Sequence, residues 1–418
     1  MRERKRAPTG FKTFFSLFAR LADGEHADKQ SMSLPVNEGL ARVKAVAALA
    51  FACLLLAAPA AKAQGRDIFG YQRAFGPIGK VKLSRPMLVW EVWAGAGSKL
   101  TRFHVSINGV LVNAEYDPSG RRIWYRGEAL LPAGTYEVDA DAAIDDELLL
   151  KKHWRFTVSD DAASELPLPG EVQMRAISAV NDLRAILGLP NAHAERSLCA
   201  AAQGHAAYMR ESGHVSHEEA FATKNNIGYS LDERLAAFGF VGGAAEDVGY
   251  ISKKGYEDTI KALFDAPYHR VAFLQPGSPE LGTGVVDNRV ALEFEMNQVE
   301  GLTVSPCNRQ TNVPSTWDGF ESPNPLRAHG GQATTGYPIV IAGFGAHPVQ
   351  IATGTASLMR KGKAIECYVN TPANDEHLRS ALFLIPVHAL ATGKYEAAAE
   401  LTLVNGTTKS VRWSFSVS

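Results

Sequence analysis

The sequence predicts an α+β core flanked on each side by an all-β sandwich. Three observations lead there. Two runs of short strands are punctuated by turn residues, a central stretch has helical periodicity and ends in a hairpin, and a matched pair of aromatic motifs closes each β run.

The first β run covers residues 67–160. "MLVWEVWAG", "FHVSING", "RIWYRG", "GTYEVDADA" and "HWRFTVS" are short, rich in β-branched and aromatic residues, and separated by Gly, Pro, Asn and Asp. Such spacing is the pattern of a β-sandwich. The second run covers 325–418 and ends in "GKYEAAAELTL" and "VRWSFSVS". "LPAGTYEV" and "LATGKYEA" each precede a Trp-x-Phe-x-Val ending, and Tyr136 to Trp154 spans 18 residues, as does Tyr395 to Trp413. A shared register at the close of both runs predicts an internal repeat. Both copies resemble the bacterial Ig-like modules that flank surface proteins.

Between them, residues 169–300 change texture. "EVQMRAISAVNDLRAILGLP" places Val172, Ile177, Val180, Leu183 and Leu187 on one helical face, and Gly188 and Pro190 supply the stop. "ERSLCAAAQGHAAYMRES" puts Leu198, Ala202, His205 and Met209 on one stripe, where a histidine is expected to be a satisfied core residue. "LDERLAAFGF" and "YEDTIKALF" predict shorter helices, and Pro267 takes a favoured first-turn position in another turn. "GTGVVDNRVALEFE" reads as two strands joined through Asp287-Asn288. The segment 301–324, rich in Pro, Asn, Ser and Thr, reads as an irregular linker.

The amino terminus predicts export. In "KAVAALAFACLLLAAPAAKA" a basic residue, an apolar run and Ala61-Lys62-Ala63 form the three parts of a cleavable signal peptide, cut before Gln64. Residues 1–63 are therefore the signal region, and Met32 stands at the natural distance for its start. The apolar run is too short for a bilayer span, so no membrane span is expected after cleavage. The protein is expected to be secreted or periplasmic. The first 63 residues hold 10 Lys/Arg and 5 Asp/Glu, leaving 33 against 39 in the remainder. A mildly acidic body without a basic run argues against nucleic acid as a partner. Three cysteines remain beyond the signal region, and an oxidising compartment favours a Cys307–Cys367 bridge with Cys199 left over. No Cys-x-x-Cys or Cys/His cluster suggests a zinc knuckle.

In order, the central segment carries "VNDLRAILGL", "LCAAAQGHAAYM", "HVSHEE", "LDERLAAFGF", "AEDVGY", "APYHRVAFLQP" and "LGTGV". This succession resembles the CAP superfamily, the SCP domain of secreted bacterial proteins, venom antigens and plant defence proteins. The resemblance covers residues 170–300 and implies an α-β-α sandwich with a cleft lined by two histidines and acidic residues. Residue by residue, His217 in "SHEE" matches the first cleft histidine, Glu246 in "AEDVG" the glutamate of the Gly-Glu-Asn motif, and His269 in "PYHR" the second histidine. Ala245 and Asp247 depart from the family's Gly and Asn, and Phe264 stands where Trp is common. The family's second glutamate has no counterpart, and Glu219 is the nearest substitute.

Two neutral imidazoles with one or two carboxylate oxygens can hold Zn²⁺ or another divalent metal, so His217, His269, Glu246 and Glu219 form one candidate set. Alternatively, a carboxylate beside a histidine raises its pKa and orients it for acid–base work by His217, Glu246 and His269. The intervals of 29 and 23 residues match no local metal motif, so convergence is implied by the resemblance alone. Arg270 is expected to form a structural ion pair. No Gly-x-Ser-x-Gly elbow exists, and Cys199 has no basic neighbour in sequence to activate it. The resemblance implies an extracytoplasmic binding module that captures a small lipid or an envelope or host surface component. The alternatives are a metal-assisted envelope hydrolase or peptidase, and a structural scaffold.

Overall fold

Gly, Asn and Asp turns fold the first β run onto itself as two facing sheets. The computed structural model describes residues 70–418, apart from 96, 119–120, 221–225, 297–298, 332–333, 346–350 and the side chains of 70–74. The signal region 1–63, with its start at Met32 and its cut before Gln64, lies outside the described residues. Among those described, no helix is long and apolar enough to cross a membrane.

The first run contains β1 (Gly70–Gly76), β2 (Gly79–Leu83), β3 (Leu88–Ala94), β4 (Leu100–Ile107), β5 (Val110–Val112), β6 (Glu115–Asp117), β7 (Arg122–Tyr125), β8 (Gly134–Ile144) and β9 (Leu148–Ala163). One sheet runs β1-β3-β7-β6 and the other β2-β9-β8-β4-β5. Strand alternation sends Trp90, Ile123, Val138, Trp154 and Phe156 inward to a single core.

The middle segment supplies α1 (Glu171–Ile186), β10 (His193–Ala194), α2 (Arg196–Ser212), α3 (Leu231–Ala237), β11 (Ala244–Tyr250), α4 (Tyr256–Asp265), α5 (Pro267–Phe273), β12 (Glu280–Val286) and β13 (Arg289–Glu295). The anticipated faces are buried, except that Val172 lies at the open end of α1 and is 39% exposed. Glu195 caps α2 through Leu198 N at 2.7 Å, Ser230 caps α3, and Pro267 opens α5. The sheet order is β10-β12-β13-β11. Helix α2 presses on one face so closely that a Cβ at Gly282 would lie 2.1 Å from the Leu198 carbonyl carbon, and one at Gly284 would lie 2.0 Å from Ala202 O. Only glycine allows that approach. On the opposite face, Thr283 Oγ1 donates to Gln173 O of α1 at 3.0 Å.

The last run contains β14 (Gly301–Ser305), β15 (Thr316–Trp317), β16 (Thr335–Gly336), β17 (Ile339–Phe344), β18 (Ile351–Arg360), β19 (Lys363–Ile365), β20 (Cys367–Asn370), β21 (Ala381–Pro386), β22 (Gly393–Leu403) and β23 (Thr408–Val417). Its main sheets are β14-β17-β21-β20 and β19-β18-β22-β23. The repeat is visible at its corners. Tyr136 stacks on Phe156 with centroids 5.3 Å apart and donates to Pro132 O at 2.8 Å, while Tyr395 stacks on Phe415 at 5.6 Å and donates to Ala391 O at 2.8 Å.

The linker and the disulfide expected from the sequence both change here. The segment 301–324 is no free linker: β14 pairs with β17, Trp413 Nε1 donates to Pro306 O at 2.9 Å, and Val313 N to Ser416 O at 3.1 Å. Its turn-rich composition dictates irregular backbone, but side chains and edge groups still pin that backbone to the last strand. The Cys307–Cys367 bridge does not form, and Cys199, Cys307 and Cys367 are all free. Cys307 follows β14 and Cys367 begins β20, at opposite edges of one sheet. Three strand spacings of about 4.8 Å separate those edges, beyond the roughly 7 Å a disulfide can span between Cα atoms.

The central and last segments share one core. Every residue of β17 and β21 is buried. Ile339, Ile341, Leu382 and Leu384 face the second sheet, whereas Val340, Ala342, Phe344 and Phe383 pack with Leu263, Phe264 and Phe273 of α4 and α5. Arg270 anchors this contact. Fully buried, it forms no ion pair; it donates to Phe264 O (2.6 Å), Asp265 O (2.6 Å) and Pro338 O (2.7 Å), and lies 4.4 Å from the Tyr337 ring centroid. Backbone carbonyls and an aromatic face take the place of the expected carboxylate. Arg270→Ala, which orphans three buried carbonyls, is expected to lower unfolding free energy by about 3–5 kcal/mol. Urea unfolding measures this, and a change below about 1 kcal/mol would show that the anchor is dispensable.

Candidate functional site

Among the described residues strand β11 is an edge strand paired only with β13, and it carries "Ala245-Glu246-Asp247-Val248" in full extension. Successive side chains therefore leave on opposite faces. Glu246 aligns with Glu293, which aligns with Gly282, placing Glu246 on the α2 side. Asp247 aligns with Leu292 and Thr283, placing it on the α1/α4/α5 side.

On the α2 side, His217 Nδ1 donates to Glu246 Oε1 at 2.9 Å. The other carboxylate oxygen receives Arg234 Nη2 at 2.6 Å, and Arg234 Nη1 donates to His217 O at 3.0 Å. One guanidinium thus fixes both members of the imidazole–carboxylate pair. Arg234 itself is fully buried, while the His217 side chain keeps 52% of its exposure. Glu219 is not part of this pair. It lies fully buried behind it, bonded to His205 Nδ1 at 2.9 Å and accepting from Ile227 N at 2.7 Å. His205 Nε2 meets Ser216 O at 2.8 Å, so that imidazole is the satisfied core histidine its stripe predicts, and it braces the loop carrying His217.

On the other side, His269 occupies the third position of α5. Its Nδ1 donates to Glu321 Oε1 at 2.7 Å and its backbone N to the same oxygen at 3.0 Å. Glu321 comes from the segment read as a linker, 52 residues downstream, and its side chain is completely buried. The two imidazoles feel each other's charge, and Asp247 lies within electrostatic reach of both. Each is bonded at Nδ1 to a buried carboxylate, His217 to Glu246 and His269 to Glu321.

The bond to Glu246, outweighing burial, raises the pKa of His217. Burial alone would lower that of His269, but the bond to Glu321 and the charge of Asp247 raise it. Burial opposes ionisation of Glu246, yet His217, Arg234 and His205 together hold it below its ordinary range. For Asp247 burial outweighs the charges of His269 and His217, and the carboxyl is pushed up to about 7. Glu293, fully buried across the ladder from Glu246, is pushed well above the carboxylate range by burial and by the Glu246 charge. On each face a carboxyl bonded to an imidazole thus stands near one held toward its neutral form, Glu293 on the α2 side and Asp247 on the other.

A divalent ion would have to use the Nε2 atoms left free on the imidazoles, together with Asp247 or Glu246. Among the described residues no three His, Cys, Asp or Glu side chains stand close enough to hold a metal. The donors are of the right chemistry but do not gather as a zinc shell requires.

Residues 177–293 match the model of the Cysteine-rich secretory protein family, CAP. This segment is a CAP domain. The matched stretch contains His217, Glu246 and His269 and stops before Glu321. An extracellular SCP-domain protein from Bacillus anthracis str. Ames is similar at 14% identity over 54% of this chain and 66% of that one, with a TM-score of 0.27. CopC from Methylosinus trichosporium OB3b is similar at 15% identity over 28% of this chain and 93% of its own, with a TM-score of 0.19. SGBP-B from the Bacteroides ovatus mixed-linkage glucan utilization locus gives 12% identity, 85% and 71% coverage, and a TM-score of 0.18. No curated protein matches the chain.

Asp247 supplies a pH test. A carboxyl whose folded pKa is raised stabilises the fold below its ordinary value of 3.8, and that contribution is lost as pH climbs toward about 7. Asp247→Asn removes the loss, so the variant is expected to gain on the order of 2–4 kcal/mol over the wild-type chain above neutrality and little in acid. Thermal unfolding across that range measures it; parallel curves for the two proteins would contradict it.

Proposed function

We propose that this chain is an extracytoplasmic binding protein whose CAP domain captures a polar component of the cell envelope or a host surface. The arrangement that carries this reading is the pair of imidazoles, His217 and His269, held at Nδ1 by Glu246 and Glu321 around one exposed strand edge. Orienting bonds at Nδ1 leave Nε2 of each ring to address a ligand. The ionisable lining favours a polar group over the small apolar ligand that the family resemblance also allows. In this reading the β-rich flanks act as Ig-like spacers, and the basic-apolar-small pattern before Gln64 directs export.

Acid–base hydrolysis is the second reading, favoured by Asp247, a buried carboxyl poised near neutrality beside two imidazoles. One experiment separates them. Purified chain is incubated with envelope preparations, peptidoglycan and lipid vesicles, and retention is compared with His217→Ala/His269→Ala. The binding reading expects at least about a tenfold loss of affinity with the captured component chemically unchanged. Equal retention by the double variant would overturn it, and chemical alteration of the component that the variant abolishes would decide for the hydrolase.

A further inference from the structure

A separate concavity lies where α5 meets the last β run. It encloses about 380 Å³, a size typical of small-ligand sites, between Tyr268 of α5, residues 324–328 and residues 370–377. His217, Glu246, His269 and Glu321 are not among its walls. Its floor is fixed by bonds among its own groups. Asp375 Oδ2 accepts from the Tyr268 hydroxyl at 2.5 Å and from Asn370 Nδ2 at 2.7 Å, and Asp375 Oδ1 accepts from His377 N at 3.1 Å. Asn370, only 2% exposed, also donates to Pro325 O at 2.7 Å. All three segments are therefore tied together before anything enters, which lowers the ordering cost of binding.

The rim, by contrast, is open to solvent. Arg327 Nη2 donates to Glu376 Oε1 at 3.1 Å, yet the two side chains keep 72% and 74% of their exposure. His377 Nε2 stands 3.8 Å from the same oxygen, and its ring, 41% exposed, is set edge-on to Tyr268 at 82°. A guanidinium has more donors, and a carboxylate more acceptor sites, than one such bond consumes. The rim thus offers a donor and an acceptor side by side. Neighbouring hydroxyl groups on a ring match that pair, one accepting from Arg327 and the other donating to Glu376. Charge points the same way, since Asp375 and Glu376 oppose a bare anion and Arg327 opposes a bare cation. The imidazole and Pro372 add apolar surface for the C–H groups of such a ring. We propose that this cavity binds a neutral sugar unit, its vicinal diol held between Arg327 and Glu376 and its ring against His377. Tyr268 belongs to the CAP domain and the other walls to the segments after it, so the site needs both parts docked. The inference is independent of how the His217 and His269 cleft is read.

The probes are the methyl glycosides of glucose, galactose, mannose and N-acetylglucosamine, together with the four free sugars. Each is titrated into the full chain while the imidazole NMR signals of His377 are followed. At least one is expected to give a saturable shift with a Kd on the order of 1–10 mM. Cyclohexanol, a ring of similar size without the diol, should give none. Arg327→Ala and Glu376→Ala should each weaken the responding sugar by at least about tenfold. Both side chains are mostly exposed, so the variants should keep the wild-type thermal transition, and either one suffices for the test. Four results would overturn the proposal: no saturable shift from any of the sugars, an equal response to cyclohexanol, unaltered affinity in both variants, or tighter binding of glucose 6-phosphate than of glucose. Equal affinity for a free sugar and its methyl glycoside would support the proposal with a glycan end as the source. Response to the free sugar alone would support it with a soluble sugar.

Discussion

The alternation of side chains along one edge strand organises everything around the cleft. Because Glu246 and Asp247 are neighbours in an extended backbone, they leave β11 on opposite faces and recruit different partners. Glu246 meets the loop of His217 and the guanidinium of Arg234; Asp247 lies within electrostatic reach of His269 and Glu321. A shift of register by one residue would exchange the two sets, and seven aligned pairs with β13 hold that register in place. Among the described residues no further strand pairs with this edge.

The surrounding fold keeps these groups in position through burial rather than through covalent links. Tight packing of α2 over Gly282 and Gly284 fixes the level at which His205 and Glu219 support the His217 loop. The common core of α4, α5, β17 and β21, locked by Arg270, fixes the level at which Glu321 reaches His269. At the other end, the first β unit rests on the α3 region, where Leu83 approaches Gly239 and Val241 fills the space beside Gly76. The CAP domain is thus held between its neighbours, and the segment behind it supplies the carboxylate bonded to His269.

Much of this was legible in the sequence because local chemistry decides it. Turn residues delimit the β runs, the Tyr and Trp-x-Phe-x-Val register marks the repeated corner, and helical stripes mark the central domain. The family succession pointed to His217, Glu246 and His269, and the apolar stripe identified His205 as a core residue. Glu219 was misplaced because sequence proximity to His217 says nothing about which way a loop carboxylate turns; it faces His205 instead. Arg270 was expected beside an acid, but a guanidinium can be satisfied by carbonyl groups, which no residue type advertises. Glu293 could have been placed opposite Gly282 by counting across the β12–β13 hairpin, although its alignment with Glu246 comes only with the pairing of β11. Glu321 could not: it lies in a turn-rich segment with no periodicity, and only tertiary packing carries it back across 52 positions.

The claim that both cleft imidazoles are oriented by buried carboxylates is tested most directly by their tautomeric state. A free neutral imidazole can carry its proton on either nitrogen, whereas a carboxylate at Nδ1 demands the proton there. Imidazole nitrogen NMR at a pH where both rings are neutral is predicted to find His217 and His269 as Nδ1–H tautomers, with Nε2 unprotonated. An Nε2–H tautomer at either residue would contradict the arrangement, because its Nδ1 could no longer donate to Glu246 or Glu321.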